Sequence, residues 1–294
     1  MPDILTNAPG PDETPKKPIQ ATDGPTFRDL ELSLPARQSA RQEILQLVGQ
    51  DAALLAVRAA LRRYGVAQAN AAWPVALIGP NGVGKTLTAQ LACREAGIPL
   101  VEIDLGPIMN REALLDAITR GLLPHITTGN GKAAVLFENI AGAGLPLQWE
   151  IAQLLRKPPV CRVAQEGRPF DINLATLQYF VALTGSAGPE GFFADTSLIP
   201  ELEQALKIVV PFAPLKRVDL YTLLSLSPES PITGLQQRLE AAGVAFELTE
   251  GALWDLAMAA YTRFPHAGAR ALEQVVGELE WRIWQATEAL EDNK

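Results

Sequence analysis

The sequence predicts an α/β fold, with a mainly parallel sheet carrying helices on both faces, followed by a smaller helical block. Two observations carry this prediction. Short apolar runs alternate with segments of helical spacing between about residues 75 and 212, and such alternation implies right-handed crossovers between parallel strands. After Pro214 the strand-like runs stop and only segments with helical spacing remain. A chain of 294 residues can hold one large domain or two unequal ones.

Each element is predicted from its own pattern of apolar residues. The predicted strands are Val75–Ile78, Leu100–Ile103, Ala133–Phe137, Gln178–Leu183 and Ile208–Phe212. A first helical region covers Ser39–Gly65 and is interrupted near Gly49. The other predicted helices are Lys85–Gly97, Arg111–Leu122, Leu147–Leu155, Val218–Leu226, Gly234–Ala242, Glu250–Tyr261 and Ala269–Leu290.

The beginning of the chain differs in composition from the rest. Seven of the 23 prolines fall within the first 35 residues, where the apolar residues follow no period. This composition predicts a disordered, proline-rich tail over residues 1–35. We expect a large α/β domain over residues 36–213 and a small helical domain over residues 214–290.

Composition and charge exclude several classes of protein. The net charge is −8, whereas proteins that bind phosphate backbones by charge usually carry the opposite balance, so we expect no nucleic-acid partner. No apolar stretch is long enough to span a membrane, and no secretory signal precedes the fold. Two cysteines and two histidines are too few and too scattered for a zinc site or a disulfide framework. We therefore expect a cytoplasmic protein with no membrane partner.

The sharpest motif is Gly79-Pro80-Asn81-Gly82-Val83-Gly84-Lys85-Thr86, which fits the phosphate-loop pattern G-x-x-x-x-G-K-[ST] between a predicted strand and a predicted helix. Its glycines let successive backbone N–H groups face inward, and the helix beginning near Lys85 adds a positive dipole end. Lys85 is expected to reach the β- and γ-phosphates, and Thr86 to offer its hydroxyl to Mg²⁺. The loop predicts binding of a nucleoside triphosphate together with magnesium.

Such a site also needs acidic residues at the end of a neighbouring apolar strand, and the best candidate segment is Ala133–Glu138. In this interpretation Glu138 takes the place of the base that polarises the attacking water. Phe137 takes the place of the magnesium-holding aspartate, although it supplies neither charge nor oxygen. Asp104 compensates if the strand that it ends is a neighbour. The alternative for Glu138 is a solvent-facing carboxylate without a chemical role.

These residues resemble the Clp family of AAA+ protein-remodelling ATPases, in particular their second ATPase module, from about Leu47 to Thr287. The segments that carry the resemblance are Leu47–Asp51 on the adenine side, Gly79–Thr86 as the Walker A loop, Ala133–Glu138 at Walker B, Arg162–Asp171 as a hairpin, Val181–Ser186 at sensor 1, Pro200–Leu215 around the arginine finger, and Gly268–Leu272 at sensor 2.

The resemblance implies a P-loop AAA+ domain over residues 36–213 and a Clp-like helical lid over residues 214–290, with ATP and Mg²⁺ bound between them. It places Val48 and Gly49 on the adenine side. It also implies that Arg270 faces the γ-phosphate and reports bound nucleotide to the lid. The alternative for Arg270 is an ordinary solvated arginine at the start of a helix.

Several positions depart from the family pattern. Besides Phe137, the sensor-1 asparagine is replaced by Ser186 and the arginine finger by Ala205. The segment Leu105–Lys132, where the family carries aromatic residues that grip a threaded polypeptide, is short and contains no Phe, Trp or Tyr. An arginine finger alone contributes about 10³–10⁵ in rate. The departures predict slow or absent hydrolysis, whereas Lys85 and the loop still predict binding.

Three functions are compatible with these features. The first is an ATP-binding, Clp-like protein with weakened or absent hydrolysis that acts as a nucleotide-dependent scaffold or regulatory subunit. It would form homo- or hetero-oligomers, with a complete AAA+ ring ATPase as one candidate partner. The second is an active ATP-dependent chaperone or unfoldase that remodels protein substrates. The third is a nucleic-acid-linked loader or transposition helper, which the acidic charge disfavours.

Overall fold

The computed structural model describes residues 47–66, 73–126, 132–165, 168–185 and 198–291. Five parallel strands form the main sheet, in the order β2-β3-β6-β1-β7. They are β1 Val75–Gly79, β2 Leu100–Asp104, β3 Ala134–Glu138, β6 Gln178–Thr184 and β7 Ile208–Pro211. A separate antiparallel hairpin joins β4 Val160–Gln165 to β5 Arg168–Asn173, as the resemblance implied.

Helices connect the strands and then continue beyond the sheet. They are α1 Asp51–Val66, α2 Lys85–Glu95, α3 Arg111–Ile126, α4 Leu145–Arg156, α5 Pro200–Ala205, α6 Arg217–Leu226, α7 Pro231–Ala241, α8 Glu250–Arg263 and α9 Arg270–Glu291. Among the described residues, no helix is long and apolar enough to cross a membrane.

The sheet is buried on both faces, as expected for parallel strands with helical crossovers. Val75 and Leu77 of β1 face a cluster that includes α1 and α2, whereas Ala76 and Ile78 face a second cluster that includes α3 and α4. The predicted α/β fold with helices on both faces is therefore confirmed. The first cluster continues without a break into residues of α6 to α9.

The element boundaries differ slightly from expectation. Helix α3 continues to Ile126 although Pro124 lies in its last turn, whereas the sequence predicted an end at Leu122. Helix α5 was not predicted. The predicted tail, residues 1–35, lies outside the described residues, and the domain boundary between residues 213 and 214 stays a prediction.

Candidate functional site

The phosphate loop follows β1, a central strand whose neighbours are β6 and β7. Its last glycine, Gly84, is the N-cap of α2 and has a left-handed conformation with φ of 96°. This conformation is accessible to glycine at little cost and turns the chain sharply into the helix. Lys85 and Thr86 thus form the first turn of α2, where the backbone N–H groups and the positive end of the helix dipole favour an anion.

The Lys85 ammonium lies against the loop itself. Its Nζ donates hydrogen bonds to the carbonyl oxygens of Gly79 at 2.8 Å and Pro80 at 2.6 Å. Burial, and after it the positive charge of Arg270, lower the pKa of Lys85 to about 8, while the carboxylate of Glu138 opposes both effects. Lys85 is therefore mainly protonated at neutral pH and carries its charge at the loop.

The Thr86 hydroxyl donates a hydrogen bond to Oε1 of Glu138, the last residue of β3. This bond joins the first turn of α2, which follows β1, to the end of β3. In the sheet, β6 lies between these two strands. Hydroxyl and carboxylate oxygens are ligands that Mg²⁺ accepts, directly or through water. The two side chains therefore fit a magnesium ion held beside the phosphate loop.

Phe137 does not face this region, and its placement at the magnesium-holding position was wrong. Its side chain is 0 % exposed and stacks on Tyr179 of β6, with ring centroids 6.0 Å apart. It belongs to the core beneath α3 and α4. Since successive residues of a strand point to opposite faces, Glu138 rather than Phe137 meets Thr86.

Asn139 follows Glu138 and leaves the strand in a left-handed conformation, with φ of 57°. Its Nδ2 donates to Oδ1 of Asp104 at the end of β2, at 2.8 Å. The strands of Asp104 and Glu138 are indeed neighbours, with these two residues opposite one another. Hydrogen bonds from Asn139 and from the Gly106 N–H lower the pKa of the exposed Asp104 carboxyl, because they stabilise its charged form.

Arg270 begins α9, as predicted, and the turn before it packs directly on the phosphate loop. The Ala269 N–H donates to the Gly82 carbonyl oxygen at 2.9 Å. A Cβ placed on Gly82 would lie 2.1 Å from the carbonyl oxygen of Ala267, so only glycine permits this approach. The C-terminal helices and the phosphate loop are thereby in backbone contact.

These elements surround one cavity of about 670 Å³. Its polar lining includes Asn81, Lys85, Thr86, Glu138, Asn139, Thr184 and Arg270. Two cations against a single carboxylate, among the described lining residues, give the cavity a net positive charge suited to a polyanion. Within the part of the chain that the structure describes, no group of three or more His, Cys, Asp or Glu residues could hold a metal by itself.

Other predicted site residues lie at the edge of this arrangement. Val83 is buried, and Pro80 and Val83 line a much smaller gap of about 10 Å³ beside the C-terminal helices. Gly49 lies against Asp219 near the start of α6, and the Gln50 side chain exchanges hydrogen bonds of 2.7 and 3.2 Å with the backbone of Ala213. The adenine-side role of Val48 and Gly49 stays a prediction.

Two of the family positions give different outcomes. Ser186 lies outside the described residues. Ala205 is buried at the end of α5, in the core shared with α3 and α4.

Sequence reasoning missed Asn139 and Thr184. The Thr184 hydroxyl, at the end of β6, donates to Oδ1 of Asn81 in the loop at 2.8 Å. In the sequence, the one sign of a role for Thr184 was that a polar residue ends an apolar strand.

Part of the chain matches a known protein family. Residues 75–143 match the ATPase family associated with various cellular activities (AAA). The matched stretch begins with β1 and includes the phosphate loop, Glu138 and Asn139. This stretch of the chain is therefore similar to the AAA family. Its match ends shortly after β3, so the helices from α4 onward lie beyond it.

A relative matches a short part of the chain. Over 68 residues the chain is 37 % identical to the replication factor C large subunit of Pyrobaculum arsenaticum (strain DSM 13514 / JCM 11321 / PZ6). The match covers 23 % of this chain and 16 % of the relative. The chain therefore spans only about a sixth of the length of the curated relative that it matches.

Proposed function

We propose that this protein binds ATP with Mg²⁺ and hydrolyses it slowly, acting as a nucleotide-dependent, Clp-like scaffold or regulatory subunit. One observation carries the proposal. Lys85, Thr86 and Arg270 converge with Glu138 on a single cavity after β1. In parallel α/β sheets, ligands bind at the carboxyl ends of the strands.

Each side chain has a role in holding the nucleotide. Lys85 exchanges its hydrogen bonds to loop carbonyls for bonds to phosphate oxygens, and Arg270 approaches the same phosphates from the start of α9. Thr86 and Glu138 present oxygen atoms on the metal side. The ion, when bound, neutralises charge on the phosphate oxygens.

Slow hydrolysis follows from the groups available to a water in the cavity. Glu138 is the one carboxylate among the described lining residues, and it is engaged with Thr86. The next residue, Asn139, carries an amide, which can orient a water but cannot accept its proton. General-base catalysis contributes about 10²–10⁴ in rate, so its loss slows turnover strongly.

The test is a phosphate-release assay under single-turnover conditions beside a titration of Mg·ATP binding on the full chain. Saturable binding with release far below about 1 s⁻¹ is expected, since typical enzymes turn over at about 1–10³ s⁻¹. Turnover in the ordinary range that disappears in Glu138→Gln would contradict the proposal. Such a result would favour the active chaperone or unfoldase, which ATP-dependent unfolding of a tagged substrate would then establish.

The proposed scaffold acts through protein partners, as a homo- or hetero-oligomer. Light scattering measures the mass of the protein with and without Mg·ATP. A nucleotide-dependent scaffold predicts a larger mass with Mg·ATP, either alone or when mixed with a complete AAA+ ring ATPase. A mass that is the same in all these conditions would contradict it.

The replication factor C relative favours a second candidate, a role linked to DNA. The match covers only 23 % of this chain, and the net charge of −8 speaks against a DNA-binding face. Salt-sensitive binding of duplex DNA at low micromolar concentration would support this candidate. Its absence with and without Mg·ATP would exclude it.

A further inference from the structure

Two neighbouring strand ends are tied together beside the cavity. The Asn139 amide donates to Asp104 Oδ1 at 2.8 Å, and the Leu105 N–H donates to the Glu138 carbonyl oxygen at 3.1 Å. Asp104 Oδ1 also accepts the Gly106 N–H at 2.9 Å, which fixes the carboxylate on its own turn. Asp104 Oδ1 thus accepts two hydrogen bonds, one from its own turn and one from Asn139.

Asn139 has an unusual backbone. It is the one non-glycine residue with positive φ among the described residues, at 57°. Asparagine tolerates this region better than most residues, but the conformation persists only where surrounding bonds fix it. Asn139 lines the cavity, whereas Asp104 is not among the described lining residues. Asp104 therefore fixes a cavity residue without touching the cavity.

We propose that Asp104 is a positioning residue that holds the Asn139 amide at the cavity. In this arrangement the Asp104 carboxylate stays outside the cavity, where it cannot accept a proton from the attacking water. This inference rests on the proposed function, because only a nucleotide site gives position 139 a chemical role. In this pair the proton-accepting group lies at the end of β2, whereas the residue that lines the cavity, directly after β3, carries an amide that cannot accept a proton.

Exchanging the side chains at positions 104 and 139 tests this proposal, because it moves the proton acceptor to the cavity. In hydrolysis the water oxygen bonds to the γ-phosphorus, the bond between that phosphorus and the oxygen of ADP breaks, and a water proton needs an acceptor. A carboxylate at position 139 supplies the acceptor. Replacing Asp104 by Asn at the same time keeps a hydrogen bond between the two strands. Replacing Asn139 alone puts two carboxylates against one another, and their repulsion displaces the new one.

The experiment compares four full-length proteins: the natural chain, Asn139→Asp, Asp104→Asn, and the exchanged pair Asp104→Asn/Asn139→Asp. Asp116→Asn is the matched control, because Asp116 is an exposed aspartate on α3 that pairs with Arg120. The exchanged pair should raise kcat about ten-fold or more at unchanged KM, a part of the factor of about 10²–10⁴ that general-base catalysis contributes. Asn139→Asp alone should be several-fold slower than the exchanged pair. Asp104→Asn, which adds no proton acceptor at the cavity, should give no gain in rate, and the control Asp116→Asn should stay near the natural rate.

Equal rates for Asn139→Asp and the exchanged pair would overturn the positioning role of Asp104. A rate for the exchanged pair no higher than the natural one, with Mg·ATP binding intact, would also overturn it. Calorimetry distinguishes these results from failure of the proposed function, in which the natural chain binds no Mg·ATP and both proposals fall.

Circular dichroism reports folding of every variant. An Asn139→Asp chain that does not fold beside an exchanged pair that does would support the pairing. If neither folds, Asp104→Ala, Asn139→Ala and their combination are compared by their Kd for Mg·ATP. A pair acting as one unit predicts that the double variant binds like either single variant, whereas additive losses would contradict it.

Discussion

The Thr86 hydroxyl donates a hydrogen bond to the Glu138 carboxylate, which joins the phosphate loop to the end of β3. The bond brings together the two oxygen-bearing side chains best suited to the metal side of a nucleotide site. Because Oε1 of Glu138 already accepts this bond, we propose the metal-side role for Glu138 rather than the role of the base. Asn139 then occupies the next position along the cavity.

Glu138→Gln distinguishes the metal-side role from the role of a base. The change keeps the size of the side chain and removes its charge, so the affinity for ATP in the presence of Mg²⁺ should fall about 10–100-fold, while the affinity measured with EDTA changes little. Glu112→Gln, at an exposed position in the first turn of α3, is the control. Unchanged Mg·ATP affinity with lost turnover would instead identify Glu138 as the base.

Arg270→Ala tests the contact between the C-terminal helices and the phosphates. A charged group that bonds to phosphate contributes about 1.5–3 kcal/mol, so ATP binding should weaken about 10–100-fold. The loss should be greater for ATP than for ADP if Arg270 faces the γ-phosphate. Arg282→Ala, at an exposed position on the same helix, should leave both affinities unchanged. Equal losses for ATP and ADP would exclude the γ-phosphate role.

Gly268→Ala tests the backbone contact between the turn before α9 and the phosphate loop. Gly268 has φ of 58°, and an added Cβ would lie 2.6 Å from the Asn81 carbonyl oxygen. The turn must shift, so we expect weaker Mg·ATP binding and a loss of about 1–3 kcal/mol in the free energy of unfolding. Gly243→Ala has a similar φ of 74° with nothing within 4 Å, so it measures backbone strain alone. Equal effects on binding would contradict the contact.

Tyr64 supplies a prediction of pH dependence away from the site. Its buried hydroxyl donates toward the carbonyl oxygens of Thr176 at 2.6 Å and Ala133 at 3.2 Å, and burial raises the pKa of Tyr64 to about 12. Since the folded pKa exceeds the ordinary value near 10, this contribution to stability is complete below about pH 10 and is lost as the pH rises to about 12.

Tyr64→Phe should therefore lower the free energy of unfolding at neutral pH by about 1–3 kcal/mol, because buried carbonyls lose their donor. It should also reduce the loss of stability between pH 10 and 12. Denaturant unfolding at several pH values measures both effects, with Tyr261→Phe as the exposed control. Parallel stability curves for Tyr64→Phe and the natural chain would contradict the assignment.

Much of the architecture could be predicted from the sequence. The apolar runs predicted all five strands of the main sheet, because parallel strands buried on both faces need continuous apolar residues. The phosphate loop was equally clear, since its glycines and Lys85 lie within eight consecutive residues. Helix α5 has only six residues, too few to show a helical period.

The other half of the site was harder to predict, for a physical reason. A strand pattern gives the alternation of faces, but it does not say which face meets α2. The sequence analysis therefore placed Phe137, which faces the core, at the magnesium-holding position. The bonds from Asn139 to Asp104 and from Thr184 to Asn81 depend on which strands lie side by side in the sheet. These contacts join residues 35 and 103 positions apart, and no local pattern encodes them.

The most direct test is a calorimetric titration of Mg·ATP into the full chain, beside Lys85→Ala and the control Lys207→Ala, which removes an exposed lysine. A phosphate loop that binds nucleotide predicts saturable heat with one ATP per chain. It also predicts a Kd at least about 10-fold higher in Lys85→Ala and unchanged in Lys207→Ala. Absence of heat in the natural chain, or the same Kd in Lys85→Ala, would contradict the nucleotide site itself.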